Sequence, residues 1–277
     1  MEEISVNEEQ WSHFFIPYEQ AVGELVVKFI HLKKEYRKRK IHSPIEFVFG
    51  RVKTVNSILS KAKILNMPVD QEISEHIRDI AGIRIISQFV DDIDTVVQMI
   101  EQRSDMRIVE KKDYIRYPKK SGYRSYHVIV AYEVITINGP IEVYVEFQLR
   151  TMAMNFWATI EHSLSYKYDG KIPEHIQLRL TQAAVASAKL DSEMFEIRGE
   201  IIQAQLYFNL YREIQNLIQM IYLLGAISEN QDLIEKANQY MNETENIDKL
   251  EDIRNQLAKV VEDANKIGLI VRDGNDD

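Results

Sequence analysis

The hydrophobic pattern of residues 141–151 alternates with a period of two, which indicates a strand with one buried face. The apolar side chains on that face are Val143, Val145, Phe147 and Leu149. The opposite face carries Glu142, Tyr144, Glu146, Gln148 and Arg150. A carboxylate, an amide and a guanidinium in one row can bind a metal ion and a polyphosphate. An ordinary solvated face fits this strand, taken alone, equally well.

Helical and strand periods alternate over the first half of the chain and predict an α/β domain. A long helix is predicted over residues 8–40. Ser43-Pro44-Ile45-Glu46 combines a capping Ser, a Pro for the first helical position and a capping-box Glu, so a second helix is expected there. It would be interrupted at Gly50 and reach about Leu65. Further elements are predicted as strands over 80–87, 106–112 and 128–132, a helix over 91–101, and a hairpin turn at Asn138-Gly139.

The second half of the chain reads as helices. Long helices are predicted over 174–225, with Gly225 as the end, and acidic helices with a 3–4 apolar spacing over 229–277. The net charge of the chain is −9. From Glu229 onward, 13 acids and 6 bases give −7. Basic residues concentrate at 28–40 and 107–124, a distribution typical of a protein that binds a compact anion rather than coats a nucleic acid.

Composition excludes several classes of protein. The 277 residues contain no Cys, which excludes disulfides, thiolate metal sites and a Cys nucleophile. The acidic N-terminus lacks the apolar core of a signal peptide, and no run of about 18 apolar residues occurs. We therefore expect no membrane association and a cytoplasmic location.

Two positively charged features point to phosphate chemistry. Lys53, Ser57 and Lys61 share one helical face at i, i+4 and i+8, which forms a phosphate cradle or a plain solvated lysine face. Arg84 is a single charge inside an apolar strand, so it requires an anion or an aromatic plane as a partner.

The segment from Lys119 to His127 is a basic loop that contains tyrosines. Tyr123 is a candidate for stacking on a nucleobase, and a tyrosine-rich strand edge is the plainer alternative. Tyr123 and His127 share strand parity and are expected to emerge on one side. Further along the chain, Glu161 and His162 lack the spacing of a zinc site, which favours a structural role.

Nucleotide-binding motifs of the common kinds are missing. The sequence contains neither G-x-x-x-x-G-K-[ST] nor G-x-G-x-x-G, so it is not a P-loop or Rossmann protein. Two acids, Asp79 and Glu146, accompany several Lys and Arg residues. This combination suggests Mg²⁺-assisted chemistry on phosphates.

Four segments in this order resemble the synthetase domain of the RelA/SpoT family. They are Gly50-Arg51-Val52-Lys53, Asp79-Ile80-Ala81-Gly82-Ile83-Arg84, Ser121-Gly122-Tyr123-Arg124-Ser125-Tyr126-His127 and Glu146-Phe147-Gln148-Leu149-Arg150-Thr151. The similarity runs from about Trp11 to Gln205, and residues 153–163 look like the small alarmone synthetases. The His-Asp motif of the family's hydrolase domain does not occur, so the chain resembles a synthesis-only member.

This resemblance implies a fold and an activity. The fold is a mixed, mostly antiparallel five-stranded sheet flanked by helices, of nucleotidyltransferase type. It would occupy residues 1–205, followed by a helical acidic extension over 206–277. The activity is transfer of the β,γ-pyrophosphate of ATP to the ribose 3′-OH of GDP or GTP, giving AMP and ppGpp or pppGpp.

The resemblance also assigns the donor side of the site. Arg51 and Arg84 would stack on the two faces of adenine. The triphosphate would be held by Lys53, Ser57 and Lys61. Asp79 and Arg84 have opposite strand parity, so we expect Asp79 to lie before the strand proper.

The remaining roles concern the metal and the acceptor. Asp79 and Glu146 would carry Mg²⁺, and Glu146 would take the proton of the 3′-hydroxyl. Tyr123 would stack on guanine. The residues expected around the acceptor phosphates and ribose are His127, Lys119, Arg124 and Gln148.

Partners follow from the same resemblance. ATP with GDP or GTP would be the substrates, and a homotetramer is expected. Independently of the resemblance, the basic run at residues 33–40 either complements the dipole at the end of the first helix or contacts an anion or single-stranded RNA. Some family members bind an alarmone in a central cleft through lysines of the first helix. The matching positions are Val26 and Ile30, and a cleft position that is usually small and polar is Phe49. Apolar side chains cannot pair with phosphates, so this activation is not expected here.

The sequence is compatible with two other functions. The first is a toxic relative that pyrophosphorylates tRNA 3′ ends or makes adenosine alarmones. Its acidic extension would then act as an antitoxin, with Tyr207 or Tyr211 blocking the adenine pocket. The second is a non-enzymatic RNA-binding module, which leaves Asp79 and Glu146 without a role.

Overall fold

The computed structural model describes residues 8–67, 73–167, 172–243 and 246–273. The start of the chain, which bears on the expected absence of a signal peptide, lies outside these residues. The chain divides into two compact units, Met1–Phe195 and Glu196–Asp277. The boundary expected after residue 205 falls inside the second unit. Among the described residues, no helix combines the length and apolar character needed to cross a membrane.

The first unit is built on a mixed sheet of five strands within the described residues. The strands are β1 (Phe47–Val52), β2 (Ala81–Ser87), β3 (Met106–Asp113), β4 (Tyr126–Thr136) and β5 (Gly139–Thr151). Their spatial order is β1-β2-β5-β4-β3. The pairing of β2 with β5 is parallel and the other three pairings are antiparallel. The mixed, mostly antiparallel five-stranded sheet that the family resemblance implies is confirmed.

Helices flank this sheet. In the first unit they are α1 (Glu8–Lys38), α2 (Val55–Ile64), α3 (Ile73–His76), α4 (Val90–Glu101), α5 (Met152–Lys167) and the first part of α6 (Glu174–Leu223). The apolar face of β5 is buried, with Phe147 and Leu149 fully enclosed. Leu25 and Phe29 of α1 belong to the same core cluster, four residues apart as a helical face requires. The period-two pattern of β5 therefore identifies the buried face of the sheet correctly.

The prediction that a helix starts at residues 43–46 is wrong. Residues 47–52 form β1 instead, and the backbone N–H of Glu46 donates to the carbonyl of Ile86 in β2 at 2.7 Å. The capping signals at residues 43–46 are local and contribute little energy. The ladder of hydrogen bonds between β1 and β2 outweighs them, so residues 47–52 form a strand. The helix itself, α2, starts after Thr54, whose side chain accepts a hydrogen bond from the third residue on.

The turn between β4 and β5 lies one residue earlier than predicted. Thr136 pairs with Gly139, so the two turn residues are Ile137 and Asn138. Gly139 has a φ of +103°, a conformation that an L side chain rarely adopts. The Asn-Gly pair therefore marks the hairpin, with Gly as the first residue of the returning strand.

The second unit is helical and has a core of its own. It contains the end of α6 together with α7 (Ile227–Glu243) and α8 (Ile247–Asp273). Its buried residues include Leu210, Ile214, Ile221, Ala237, Leu250, Ile253 and Leu257. Gly225, with a φ of +71°, follows the end of α6 as the sequence predicts. Tyr207 and Tyr211 pack against this core, and the hydroxyl of Tyr207 donates to the carbonyl of Met241 at 3.1 Å.

Gly50 allows α1 to approach β1 closely, which generates a first prediction. A Cβ at Gly50 would overlap Val22 and lie 2.8 Å from Cγ2 of Val26. Because valine side chains are stiff at χ1, α1 would have to shift. We expect Gly50→Ala to lower the free energy of unfolding by about 1–3 kcal/mol, the usual cost of overpacking.

Urea unfolding followed by tryptophan fluorescence measures this effect in the first unit, because both tryptophans, Trp11 and Trp157, lie there. Gly23→Ala is the matched control. Gly23 lies inside α1 with no atom within 4 Å of its Cβ position. This substitution should raise stability by about 0.5–1 kcal/mol. Equal stability of the two variants would contradict the proposed close contact.

Candidate active site

The polar face of β5 is continuous with those of its two neighbouring strands. Glu146 lies beside Gly82 of β2, and Gln148 lies between Arg84 of β2 and His127 of β4. Residues paired in register point to the same side of a sheet. The pairing therefore collects side chains that are distant in sequence.

A cavity of about 480 Å³ lies over this face. The predicted site residues that line it are Arg51, Lys61, Asp79, Arg84, Lys119, Tyr123, His127, Glu146 and Gln148. A second cavity of about 220 Å³ shares Arg51, Arg84 and Gln148 with the first. Phe49 also lines this smaller cavity and is 53% exposed. The candidate site thus consists of one large polar cavity and a smaller cavity beside its arginines.

Asp79 binds two lysines of the predicted cationic stripe. Its Oδ2 is 2.5 Å from Nζ of Lys53, and its Oδ1 is 2.7 Å from Nζ of Lys61. Asp79 precedes β2, which starts at Ala81, as the parity argument requires. Burial alone would raise the pKa of Asp79, but the two lysines hold it below its ordinary value. The carboxylate is therefore ionised at neutral pH.

Glu146 is held by two hydrogen-bond partners. Its Oε1 is 2.9 Å from Nδ1 of His127, and its Oε2 accepts from Nε2 of Gln148 at 2.7 Å. Burial raises the pKa of Glu146, but the bonds from His127 and Gln148 hold it below its ordinary value. Asp79 acts in the opposite direction through repulsion between the two carboxylates, which places both in one electrostatic site.

Tyr123 makes contacts through both its hydroxyl and its ring. The hydroxyl is 2.8 Å from Nε2 of His127 and accepts a hydrogen bond from Nη2 of Arg150 at 2.8 Å. Nζ of Lys119 and Cζ of Arg150 lie 5.0 and 5.2 Å from the ring centroid. The shared parity of Tyr123 and His127 therefore does bring them together. The ring therefore makes cation–π contacts with two basic residues, Lys119 and Arg150.

Arg84 is a buried cation that needs a partner. Its Nε is buried and has no hydrogen-bond partner, and no carboxylate among the described residues forms an ion pair with it. Burial lowers the pKa of Arg84, and the nearby cations Arg150 and Arg51 lower it further. Like charges that converge without a counterion favour a negatively charged or planar ligand.

Three predicted residues do not line this cavity. They are Lys53, which contacts the cavity residue Asp79, together with Ser57 and Arg124. Ser57 is exposed, and its hydroxyl is 2.9 Å from that of Thr54. Arg124 lines a separate cavity of about 430 Å³ together with Asp91 and Asp191. Arg124 follows Tyr123 directly in the sequence, but the two side chains line different cavities. Adjacent residues of an extended segment point in opposite directions.

Several cavity residues have no assigned role in the sequence prediction. Lys112 and Tyr114 come from the end of β3 and the residue after it, and α5 contributes Thr159, Glu161 and His162. Glu161 and His162 thus lie on the cavity wall, and the structural role expected for them stays a prediction. The sequence does contain a signal that could have indicated this position. Because α5 follows β5 without a loop, residues in its first turns must lie close to the end of the polar face.

The carboxylates suit a metal that is bound together with phosphates. No group of three or more His, Asp or Glu residues in the described ranges is arranged to hold a metal by itself. Mg²⁺ commonly binds one or two carboxylates plus substrate phosphates. Asp79 and Glu146 supply this donor set. Both oxygens of Asp79 contact lysines, a residue type that commonly binds phosphate in proteins.

Comparison with known proteins identifies the family. Residues 50–171 match the model of the region found in RelA / SpoT proteins. The chain belongs to the RelA/SpoT family. This match contains the residues that line the larger cavity, from Arg51 to His162.

Two curated relatives come from Bacillus subtilis (strain 168). The GTP pyrophosphokinase YjbM is 52% identical over 204 residues, covering 74% of this chain and 96% of the relative. The GTP pyrophosphokinase YwaC is 39% identical over 202 residues, covering 73% and 96%. Roughly a quarter of this chain therefore extends beyond both matches.

Solved structures agree with these relatives. Small alarmone synthetase 1 from Bacillus subtilis, bound to its product pppGpp, is 53% identical with a TM-score of 0.68, covering 70% of this chain and 99% of that chain. A GTP pyrophosphokinase family protein from Streptococcus pneumoniae is 50% identical with a TM-score of 0.68, covering 72% and 98%. The fold of the first unit is therefore the fold of the small alarmone synthetases.

The contacts of Asp79 generate a prediction about pH. We expect Asp79→Asn to lower the free energy of unfolding at pH 7 by about 1–3 kcal/mol, because two ammonium groups then face each other without a counterion. The pKa of the native carboxyl lies below its ordinary value of 3.8. The wild-type advantage is therefore present above about pH 4 and declines as the pH falls through the native pKa.

Urea unfolding of both proteins between pH 7 and pH 3 measures this difference. Asp94→Asn, at an exposed carboxylate of α4, is the control and should change stability much less. A stability difference between wild type and Asp79→Asn that increases toward low pH would contradict the ion-pair interpretation.

Proposed function

We propose that this chain is a GTP pyrophosphokinase that makes (p)ppGpp. It transfers the β,γ-pyrophosphate of ATP to the ribose 3′-OH of GDP or GTP and releases AMP. The observation that carries the proposal is the convergence of Asp79 and Glu146 with unpaired arginines and a cation-flanked tyrosine over one cavity. The small alarmone synthetase bound to pppGpp, at 53% identity, supports the choice of guanosine acceptor.

The donor nucleotide binds on the β1 and β2 side of the cavity. Arg51 and Arg84 stack on adenine, and the 220 Å³ cavity beside them accommodates the base. Lys53 and Lys61 hold the triphosphate, which replaces Asp79 as their partner. Ser57 stays a prediction, since its hydroxyl is bonded to Thr54. A related structure, small alarmone synthetase 1 bound to AMPCPP, supports ATP as the donor.

The acceptor nucleotide binds on the β4 side. Tyr123 stacks on guanine, and Lys119, His127 and Gln148 surround the ribose and phosphates. Arg124 stays a prediction as an acceptor ligand, because it lies in a different cavity. The two nucleotides meet at Glu146, which lies between the donor and acceptor residues.

Chemistry takes place at the β-phosphorus of ATP. The 3′-oxygen of the acceptor forms a bond to this phosphorus, and the bond to the oxygen that bridges the α- and β-phosphorus atoms breaks, so that AMP leaves. Glu146 accepts the proton of the 3′-hydroxyl, a role that is worth about 10²–10⁴-fold in rate. Lys53 and Lys61 neutralise charge on the transferred group. Asp79 and Glu146 would hold a Mg²⁺ ion, which would supply positive charge against the negative charge that develops on the phosphates.

Assembly and RNA binding are parts of the proposal that await tests. A homotetramer is supported by large apolar side chains that are exposed on α5, such as Phe156 at 69%. Single-stranded RNA binding is supported by Lys34, Lys38 and Lys40, which are exposed at the end of α1. Lys33 is less available, since it bonds to the backbone and the carboxylate of Glu46.

We propose that residues 206–277 are an accessory to the synthetase domain rather than an antitoxin. A blocking role for Tyr207 or Tyr211 has little support, because both pack in the core of the second unit. The relatives described above are GTP pyrophosphokinases, so transfer to tRNA or to adenosine nucleotides is not favoured.

Analysis of the products tests the proposed activity. The full chain is incubated with Mg²⁺ and ATP that carries label in the γ-phosphate, together with GDP, GTP or bulk tRNA. We expect label on GDP and GTP, with AMP formed in equal amount, and none on tRNA. Label on tRNA alone, or on adenosine nucleotides alone, would refute the proposal.

The role of Glu146 generates a separate prediction. Glu146→Gln should lower kcat by about 10²–10⁴-fold, because the amide cannot accept the hydroxyl proton, while the Kd for ATP changes little. Turnover and calorimetric ATP binding measure the two quantities. Glu142→Gln, on the same strand face but bonded to the exposed Arg107, is the matched control and should leave kcat unchanged. Wild-type turnover of Glu146→Gln would remove Glu146 as the proton acceptor.

A further inference from the structure

We propose that Arg150 is a positioning residue for the guanosine acceptor, acting through Tyr123 and Gln148. This inference rests on the proposed function, because it needs Tyr123 and Gln148 on the acceptor side. It gives a role to a buried arginine whose position at the end of β5 is equally typical of a brace for the following helix.

The contacts of Arg150 point away from a bracing role. Arg150 is only 5% exposed, and its described hydrogen bonds go to the hydroxyl of Tyr123 and to Oε1 of Gln148, at 2.8 and 3.1 Å. Its Nε has no hydrogen-bond partner, and no carboxylate of the described residues forms an ion pair with it. The guanidinium is therefore committed to two side chains of the cavity rather than to α5.

The contact with Gln148 fixes the orientation of its amide. A guanidinium can only donate, so Oε1 of Gln148 must face Arg150. Its Nε2 then faces Glu146 and donates to Oε2 at 2.7 Å. Both ends of the amide are determined by charged neighbours, which leaves one arrangement.

The contact with Tyr123 fixes a second chain of hydrogen bonds. Because the hydroxyl accepts from Arg150, its own proton is available for Nε2 of His127, 2.8 Å away. Nδ1 of His127 then carries the ring proton and donates to Oε1 of Glu146 at 2.9 Å. The two chains start at Arg150 and end on the two oxygens of Glu146, which closes a ring of five side chains.

This ring determines how Tyr123 presents its aromatic face. A tyrosine ring that stacks on a base must be held in one plane, and Arg150 holds it through the hydroxyl and through a cation–π contact at 5.2 Å. Both hydrogen bonds are donated by Nη2, the outer nitrogen of the planar guanidinium. Lysine would keep the charge of Arg150, but its side chain ends one bond short of Nη2 and lacks the planar group, so it cannot maintain both hydrogen bonds in this geometry. The acceptor, and not ATP, should therefore respond to loss of the guanidinium.

Steady-state kinetics with GDP, GTP and ATP varied in turn test this inference. The variants are Arg150→Lys, Tyr123→Phe and the double variant. We expect each single variant to raise the KM for GDP or GTP about tenfold, the scale of one lost hydrogen bond to a charged group. The KM for ATP should stay within about twofold. The double variant should be no worse than the single variants within about threefold, because both break one coupled contact.

Arg107→Lys is the matched control. Arg107 is a strand arginine that is paired with Glu142 at 3.2 Å on the surface, so this substitution should leave both KM values unchanged. Thermal unfolding of every variant separates binding from folding. If Arg150→Lys does not fold, the acceptor KM of Tyr123→Phe tests the inference by itself. This variant keeps the aromatic ring and removes only the hydroxyl that Arg150 contacts.

Three results would overturn the role of Arg150. They are an unchanged acceptor KM in folded Arg150→Lys or in Tyr123→Phe, an equal rise in the KM for ATP, and effects that add in the double variant. The wild-type assay distinguishes this failure from failure of the function itself. A wild-type chain that transfers nothing to GDP or GTP refutes the function, whereas normal wild-type transfer with an unchanged acceptor KM in the variants refutes only the role of Arg150.

Discussion

The parallel pairing of β2 with β5 is the constraint on which the candidate site depends. Its register places Gly82 beside Glu146 and Arg84 beside Gln148. Gly82 has no side chain, and a Cβ there would lie 3.6 Å from Cγ of Arg51. The arginine therefore reaches over β2 toward the cavity. A slip of one residue would turn the polar side chains of one strand toward the core and separate the two carboxylates from the arginines.

On this face, Asp79 and Glu146 each have hydrogen-bonding partners, whereas two of the arginines have no carboxylate partner in the part of the chain that the structure describes. Asp79 is neutralised by two lysines, and Glu146 is stabilised by hydrogen bonds with His127 and Gln148. The arginines Arg84 and Arg150 have no carboxylate partner among the described residues. A bound polyanion supplies what they lack and competes with Asp79 for the lysines. The excess of positive charge in the cavity thus matches substrates that each carry several phosphates.

Local patterns in the sequence predict much of this architecture but not its exceptions. Alternation identifies the buried face of β5, and parity places Asp79 before β2, because both depend on local geometry. The capping signals at residues 43–46 fail because pairing of β1 with β2 is a long-range interaction that a local pattern does not contain. The positions of Arg124 and of Glu161 likewise depend on how loops and α5 pack over the sheet. The ring that joins Arg150 to Glu146 requires coordinates, since its members come from different segments.

Locating the metal in the complete site tests the central claim most directly. AMPCPP cannot react, because a methylene replaces the bridging oxygen whose bond to phosphorus breaks. Crystals of the wild-type chain with AMPCPP, GDP and Mn²⁺ allow the metal to be located by anomalous scattering. We expect a Mn²⁺ peak between Asp79 and Glu146, with the guanine stacked on Tyr123. A peak elsewhere, or nucleotides bound outside the 480 Å³ cavity, would contradict it.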